Sequence, residues 1–231
     1  MKCDHNCLDD HISCVQHVPI FANLTRDEML EISEIASSRS YKKGEMIYWA
    51  GDKGGTLFVL HTGRVKLFRL NENGKEQVLR LVEPGDFIGE LSLFSSLPLT
   101  DNAQALEDST MCVLQGERLK ELMVKYPSIA FKVIDELSRR LQKAENRIEA
   151  ISLESAAKRV ADALIEFSGG RLEFELPMTK GDLSSHLGIS QETLSRHLAA
   201  LQDEGLIEMK GHRRIIIKDM AALEQAGLDR Q

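Results

Sequence analysis

The stretch Thr179 to Leu206, TKGDLSSHLGISQETLSRHLAALQDEGL, decides how this 231-residue chain is read. Apolar residues at Leu183, Leu187, Ile189, Leu194, Leu198 and Leu201 give two short helical faces that share one core, broken at Gly188 where a turn calls for positive φ. The pattern predicts a helix from about Lys180 to Leu187 and a second one starting at Ser190, whose hydroxyl can cap the free amides of the first turn. The following EMKGHRRIIIKD reads as a β-hairpin, which completes a winged helix-turn-helix. Inserted end-on into a major groove, the second helix shows its N-terminal residues to base edges. With Leu194 and Leu198 turned inward, Gln191, Glu192, Ser195, Arg196 and Gln202 face outward, and Glu192, Ser195 and Arg196 share one face. A carboxylate accepts from a cytosine amine, a guanidinium forks onto guanine, and a small hydroxyl tolerates a thymine methyl. The alternative is a solvated polar face on an ordinary helix pair, and the turn spacing together with the hairpin favours the DNA-binding reading.

Composition narrows the class. With 42% apolar residues the chain has ample material for folded cores, and its length fits one or two domains. It has no apolar run of membrane-spanning length and no basic-then-apolar leader, so a soluble cytoplasmic protein with no membrane partner is expected. The net charge of -7 argues against a general nucleic-acid coat protein. From Ser155 onward 10 Lys and Arg face 12 Asp and Glu, so DNA binding must rest on local groups such as Lys180, Arg196, Lys210, His212, Arg213 and Arg214. No nucleophile-base-orienter pattern or phosphate-cradling loop appears, so no enzyme is expected.

Residues 1–17 carry Cys3, Cys7, Cys14, His5, His11 and His17 without helical or strand period and read as a ligand-bearing arm. Residues 18–125 form the next domain. Thr25 and an acidic turn open a short amphipathic helix through Met29, Leu30, Ile32 and Ile35. From Tyr41 to about Gln115, short β-rich runs alternate with glycine turns, and Asn73-Gly74 marks a hairpin; this predicts a small antiparallel jelly roll. Residues 126–152 read as one long helix, in which Ala130, Ile134, Leu137, Leu141, Ala144, Ile148 and Ile151 repeat in steps of four and three. The stripe could pack on its own barrel; charges on both flanks favour the seam of a parallel homodimer, which would make the DNA target palindromic. Residues 153–231 form the DNA-binding domain.

QETLSRHL resembles the recognition segment of the Crp/Fnr superfamily, and the resemblance covers nearly the whole chain. It implies an α+β architecture: an N-terminal jelly-roll β-barrel of the cyclic-nucleotide-binding kind, a long dimerisation helix and a C-terminal winged helix-turn-helix. In the Fnr branch a Glu, a Ser and an Arg at this spacing read the half-site. The resemblance therefore makes Glu192, Ser195 and Arg196 the base readers, with Gln191, Thr193 and Lys180 beside them at the DNA. The receptor-protein branch uses an Arg where this chain has Gln191. The implied partners are double-stranded DNA with an inverted repeat near TTGAT and ATCAA, RNA polymerase and a second copy of the chain.

For the signal, the resemblance leaves several readings. GDFIGELSLF is similar to the segment in which receptor proteins bind a cyclic nucleotide, with Glu90 at the ribose hydroxyls. The positions of the family's phosphate-binding Arg-Ser pair are Asp101 and Asn102, and a carboxylate beside a phosphate disfavours cyclic AMP. In Fnr-type oxygen sensors three N-terminal cysteines and one inside AQALE-x4-C bind a 4Fe-4S cluster; AQALEDSTMC puts Cys112 at that place, with Cys3, Cys7 and Cys14 as further thiolates. Their Cys-x3-Cys-x6-Cys spacing departs from that of the best-known Fnr proteins. In the Flp proteins of Gram-positive bacteria an N-terminal cysteine and the barrel cysteine form a disulfide, which would pair Cys112 with Cys14, Cys7 or Cys3. Ala144 stands where Fnr-type seams place a carboxylate opposing association, so this chain should dimerise more readily. The expected function is a transcription regulator responding to oxygen or redox state through these cysteines. The alternatives are a regulator sensing a small ligand, zinc or haem in the barrel or arm, and Cys112 as an inert buried thiol.

Overall fold

The computed structural model describes Phe21 and residues 25–95, 97–211 and 213–228. Cys3, Cys7, Cys14, the three arm histidines and His212 lie outside the described residues. The chain divides into two compact units, one of residues up to Arg69 and from Leu79 to Arg140, the other of Leu70–Val78 and Leu141 onward.

The first unit opens with α1 (Arg26–Glu34), held by a reciprocal cap: the Glu28 amide donates to Thr25 Oγ1, and the Thr25 amide donates to the Glu28 carboxylate. The strands follow as β1 (Ala36–Tyr41), β2 (Met46–Tyr48), β3 (Thr56–Thr62), β4 (Val65–Leu70), β5 (Glu76–Val82) and β6 (Phe87–Ile88). The short helix α2 (Glu90–Ser95) then leads to β7 (Asn102–Ala105) and β8 (Ser109–Gln115). They form two four-stranded sheets in the orders β1-β8-β3-β6 and β2-β7-β4-β5. The jelly roll is therefore an open sandwich. Its first strand begins five residues before the predicted start, because ASSRSY is exposed and serine-rich and carries no apolar alternation; pairing with β8 from Ala36–Leu114 to Tyr41–Ser109 makes it a strand. The Asn73-Gly74 turn sits between β4 and β5 as read, with Gly74 at φ +74°.

Strand β8 separates two cores by its alternation. Met111 and Val113 join Phe58, Leu60, Val65, Leu67, Val82 and Ile88. Cys112 and Leu114 join Leu57, Val59, Phe87 and Leu93, together with Ile32 of α1. The same cluster takes Leu119 and Leu122 from α3 (Gly116–Lys125) and Ile129 and Val133 from α4 (Pro127–Leu153). Tyr126 ends α3, its amide donating to the Leu122 carbonyl, and Pro127 opens α4 where no amide partner is needed. The predicted seam splits along α4. Leu137 packs against the chain's own core, whereas Ile134, Leu141 and Ile148 are 57%, 61% and 66% exposed and Ala144 is exposed.

The second unit contains α5 (Ala156–Ser168), β9 (Glu173–Glu175), α6 (Lys180–Leu187), α7 (Gln191–Asp203), β10 (Ile207–Lys210), β11 (Arg214–Ile217) and α8 (Met220–Leu228). Strands β10 and β11 form the predicted hairpin, and β9 adds to its far edge. Buried Val160, Leu164, Leu183, Leu194, Leu198, Leu201, Ile207, Ile215 and Leu223 fill the core of this unit. Among the described residues no helix is long and apolar enough to cross a membrane.

Candidate nucleic-acid interface

Helices α6 and α7 both start on side-chain caps, of which the sequence foretells that of Ser190. Thr179 Oγ1 accepts from the Asp182 amide at 3.1 Å, and Ser190 Oγ accepts from the Thr193 amide at 3.0 Å. Between them Gly188 ends α6 at φ +67°, a conformation that costs a residue with Cβ. Leu194, Leu198 and Leu201 point into the core, so Gln191, Glu192, Ser195 and Arg196 are left exposed on α7. The predicted base-reading face is thus assembled by helix periodicity alone.

Finer contacts order that face. The Thr193 hydroxyl lies 2.8 Å from Ser190 Oγ and accepts at 3.5 Å from Nη2 of Arg196, so the helix cap and the guanidinium share one hydroxyl. A Cβ added at Gly181 would come within 3.0 Å of Gln191 Nε2, which places the Gln191 amide across the first turn of α6. Gln202 is exposed as predicted, and its side chain accepts from the Met209 amide at 3.1 Å, tying α7 to the wing. Lys180 Nζ lies 3.7 Å from Met209 Sδ.

Of the basic groups counted for DNA, several are already engaged. Arg213 donates to the Leu176 carbonyl, Arg214 pairs with Glu173, and Lys210 and Lys218 pair with Glu208. Arg196 faces no carboxylate among the described residues, so its charge is available to a base or phosphate. Beneath this surface sits a feature that sequence reading passed over. Arg159 Nη1 donates to the Leu187 carbonyl at 2.6 Å and Arg147 Nη2 donates to the His186 carbonyl, closing the C-terminal end of α6 with positive charge. Burial, reinforced by Arg147, pushes the His186 imidazole down to about 3.

In the first unit, the segment that resembles a nucleotide site is closed. The cavity between Tyr48, Leu67, Glu90, Leu99 and Asp101 holds about 20 Å³, space for about one water. Tyr48 donates its hydroxyl to Asp101 at 3.0 Å, and burial raises the Asp101 carboxyl above its usual range despite that bond. Asn102 accepts from the Ala50 amide and donates to the Phe68 carbonyl. Glu90 pairs with Arg140 at 3.1 Å and with Arg80 at 3.5 Å. Cys112 is 2% exposed and disulfide-bonded.

Residues 38–126 match the cyclic nucleotide-binding domain family, and residues 158–226 match the Crp-like helix-turn-helix domain family. The chain is 32% identical to the "Cyclic AMP receptor protein" of Thermus thermophilus over 90% of this chain and 95% of that one. It is 28% identical to "Transcriptional activator protein FnrL" of Cereibacter sphaeroides, over 97% of this chain and 93% of the relative. The crystal structure of FixK2 from Bradyrhizobium japonicum superposes with a TM-score of 0.74 at 26% identity, covering 83% of this chain and 97% of that one. A sandwich of the cyclic-nucleotide-binding type, a long helix and a winged helix-turn-helix, in that order and with these relatives, make the chain a DNA-binding transcription regulator of the Crp/Fnr family.

Proposed function

We propose that this regulator is a homodimer that reads an inverted repeat near TTGAT and ATCAA and is switched by oxidation of Cys112. The carrying observation is the state of Cys112: a thiol position in the helix-side core of β8, sharing that core with the base of α4, and engaged in a disulfide. Forming such a bond removes two electrons and two protons from a pair of thiols and delivers them to an oxidant such as dioxygen or a peroxide. The covalent tie then changes what packs at Cys112, and a shift of about 1 to 3 kcal/mol between two helix arrangements is enough to alter DNA affinity severalfold. Oxygen-linked control also fits the similarity, at 29% identity, to the "Anaerobic regulatory protein" of Pasteurella multocida.

A 4Fe-4S cluster needs thiolates. A disulfide at Cys112 withholds that thiolate and so favours the switch over the cluster, whose other thiolates, Cys3, Cys7 and Cys14, lie outside the described residues. The similarity to a cyclic AMP receptor protein brings that nucleotide forward as an effector. A cavity of about 20 Å³ is far below the several hundred typical of a ligand of that size, and Asp101 opposes a phosphate. Both observations support a reading without a nucleotide.

Thiol counting on the full chain before and after diamide should show the loss of two free thiols, accompanied by a severalfold change in operator affinity. Cys112→Ser should lose that response while keeping one fixed affinity. An unchanged response in Cys112→Ser, or a visible absorbance that bleaches in air, would overturn the disulfide switch.

Base reading makes a separate claim. Arg196→Ala should weaken binding to the inverted repeat by about 1 to 3 kcal/mol while leaving random DNA much less affected, whereas Lys180→Ala should weaken both alike. Fluorescence anisotropy on the two DNAs at one salt concentration separates the cases, and equal losses for Arg196→Ala would remove it from the base readers.

A further inference from the structure

The closed pocket raises the question of what occupies the place of a ligand. In the first unit, Arg140 of α4 reaches the corner between β6 and α2 and makes four contacts there. Its Nη1 donates to the Phe87 carbonyl at 3.0 Å and to Glu90 Oε1 at 3.1 Å, its Nε donates to Glu136 at 2.9 Å, and its guanidinium lies 4.0 Å from the centre of the Phe87 ring. Arg80 approaches the same corner from β5, donating to the Phe87 carbonyl at 3.1 Å, and Asp86 lies 4.0 Å from Arg140. Arg140, Glu90 and Glu136 are 15%, 12% and 18% exposed at their side chains, so these are charge-assisted bonds in a partly dry site. Phe87 has a second allegiance: its ring is 1% exposed in the cluster that also contains Cys112, Ile129 and Val133.

We infer that Arg140 is a positioning residue that takes the place of a small-molecule effector: by clamping α4 onto the Phe87–Glu90 corner from within the chain, it sets the helix's exposed apolar stripe for dimerisation with no ligand bound. What the clamp supplies is preorganisation. Beyond Val133 the helix has little apolar anchorage on the sandwich: among the described residues Ile134 and Leu141 are bare, and Leu137 is the one beyond Val133 packed against its core. A helix free to fray or roll would lose conformational freedom on pairing, and a helix already held has less to lose. Planarity matters as well, because one guanidinium serves a carbonyl, two carboxylates and a ring face together; an ammonium cannot. Phe87 then joins the clamp to the core around Cys112, so any repacking there reaches α4 through its own ring.

The inference rests on the homodimer proposed above and is independent of the redox proposal. Sedimentation equilibrium on the full chain, with all samples kept in reducing buffer, tests it. Arg140→Gln should raise the dimer dissociation constant about tenfold or more, a change of about 1.4 kcal/mol, and Arg140→Lys should recover only part of the loss. Amide exchange of residues 134–147 should quicken in Arg140→Gln at a protein concentration where it remains dimeric, while the melting of the sandwich followed by Trp49 stays near wild type. If Arg140→Gln unfolds the sandwich, Glu90→Gln, which removes the acceptor's charge and keeps its shape, should weaken the dimer in the same sense. A dimer constant unmoved in the variants, or a wild-type dimer tightened by millimolar cyclic AMP, would overturn the inference. An indifferent Cys112→Ser would overturn only the redox reading, and a wild-type chain that stays monomeric at all concentrations would overturn the homodimer itself.

Discussion

Taking the protein from pH 7 to pH 5 should destabilise its helix-turn-helix unit by about 2 kcal/mol, and the loss should trace to His186. Its imidazole is held down to about 3 in the folded chain, first by burial and then by the Arg147 charge. Unfolded, it titrates near 6.5. Stability from a depressed histidine is complete above the unfolded value and falls as the pH drops from about 6.5 toward 3, because the unfolded chain binds a proton that the folded one refuses. At about 1.4 kcal/mol per pH unit, the drop to pH 5 gives the figure above. Glu208, whose carboxylate is held low by Lys218 and Lys210, fails only below the ordinary carboxylate range, and His186→Phe separates His186 from the other histidines of the unit. Scanning calorimetry at both pH values should show the wild-type transition of this unit moving down, with His186→Phe flattening the dependence. A variant that keeps the full wild-type pH slope would assign it elsewhere.

That histidine also shows where sequence reading stops. The spacing of Leu183, Leu187, Leu194 and Leu198 fixes which way α6 and α7 face, and periodicity alone puts Glu192, Ser195 and Arg196 outside. Caps are local chemistry, so those of Thr25 and Ser190 were also legible. His186 falls in a polar-looking SSH triplet whose burial comes from Arg147 and Phe167, which are distant in sequence. The Arg80, Glu90 and Arg140 cluster is equally non-local: with cyclic AMP disfavoured, Glu90 reads as a structural residue of the barrel, yet its partners are charges from β5 and α4 that no local pattern announces. The heptad stripe of α4 illustrates a third limit. Leu137 fits the seam by period, but helix rows only three or four residues apart serve different neighbours, and the inner row Ile129, Val133, Leu137 belongs to the sandwich. The strand ASSRSY was missed for a related reason, since its pairing with β8 supplies what its composition lacks.

Truncating Leu198 to alanine should cost the second unit about 2 to 5 kcal/mol, the range for a large-to-small change in a closed core. Leu198 is 0% exposed in the middle of α7, the helix that carries the proposed base-reading face, and that helix packs on α5, α6 and β10. A cavity there undermines the support for Glu192, Ser195 and Arg196 without touching them. The chain's single tryptophan, Trp49, lies in the first unit, so its fluorescence follows the sandwich, whereas far-ultraviolet circular dichroism sees both units. In Leu198→Ala the dichroism transition should move to lower urea, the Trp49 transition should stay in place, and affinity for the inverted repeat and for random DNA should fall together. Glu192→Ala is the informative contrast: exposed on the same helix, it should leave both transitions within about 0.5 kcal/mol and change only discrimination between DNA sequences. If Leu198→Ala instead shifted the Trp49 transition as far as the dichroism one, the two units would unfold as one. The proposed division of labour, with the sandwich sensing and a separate unit reading DNA, would then be carried by a single cooperative fold.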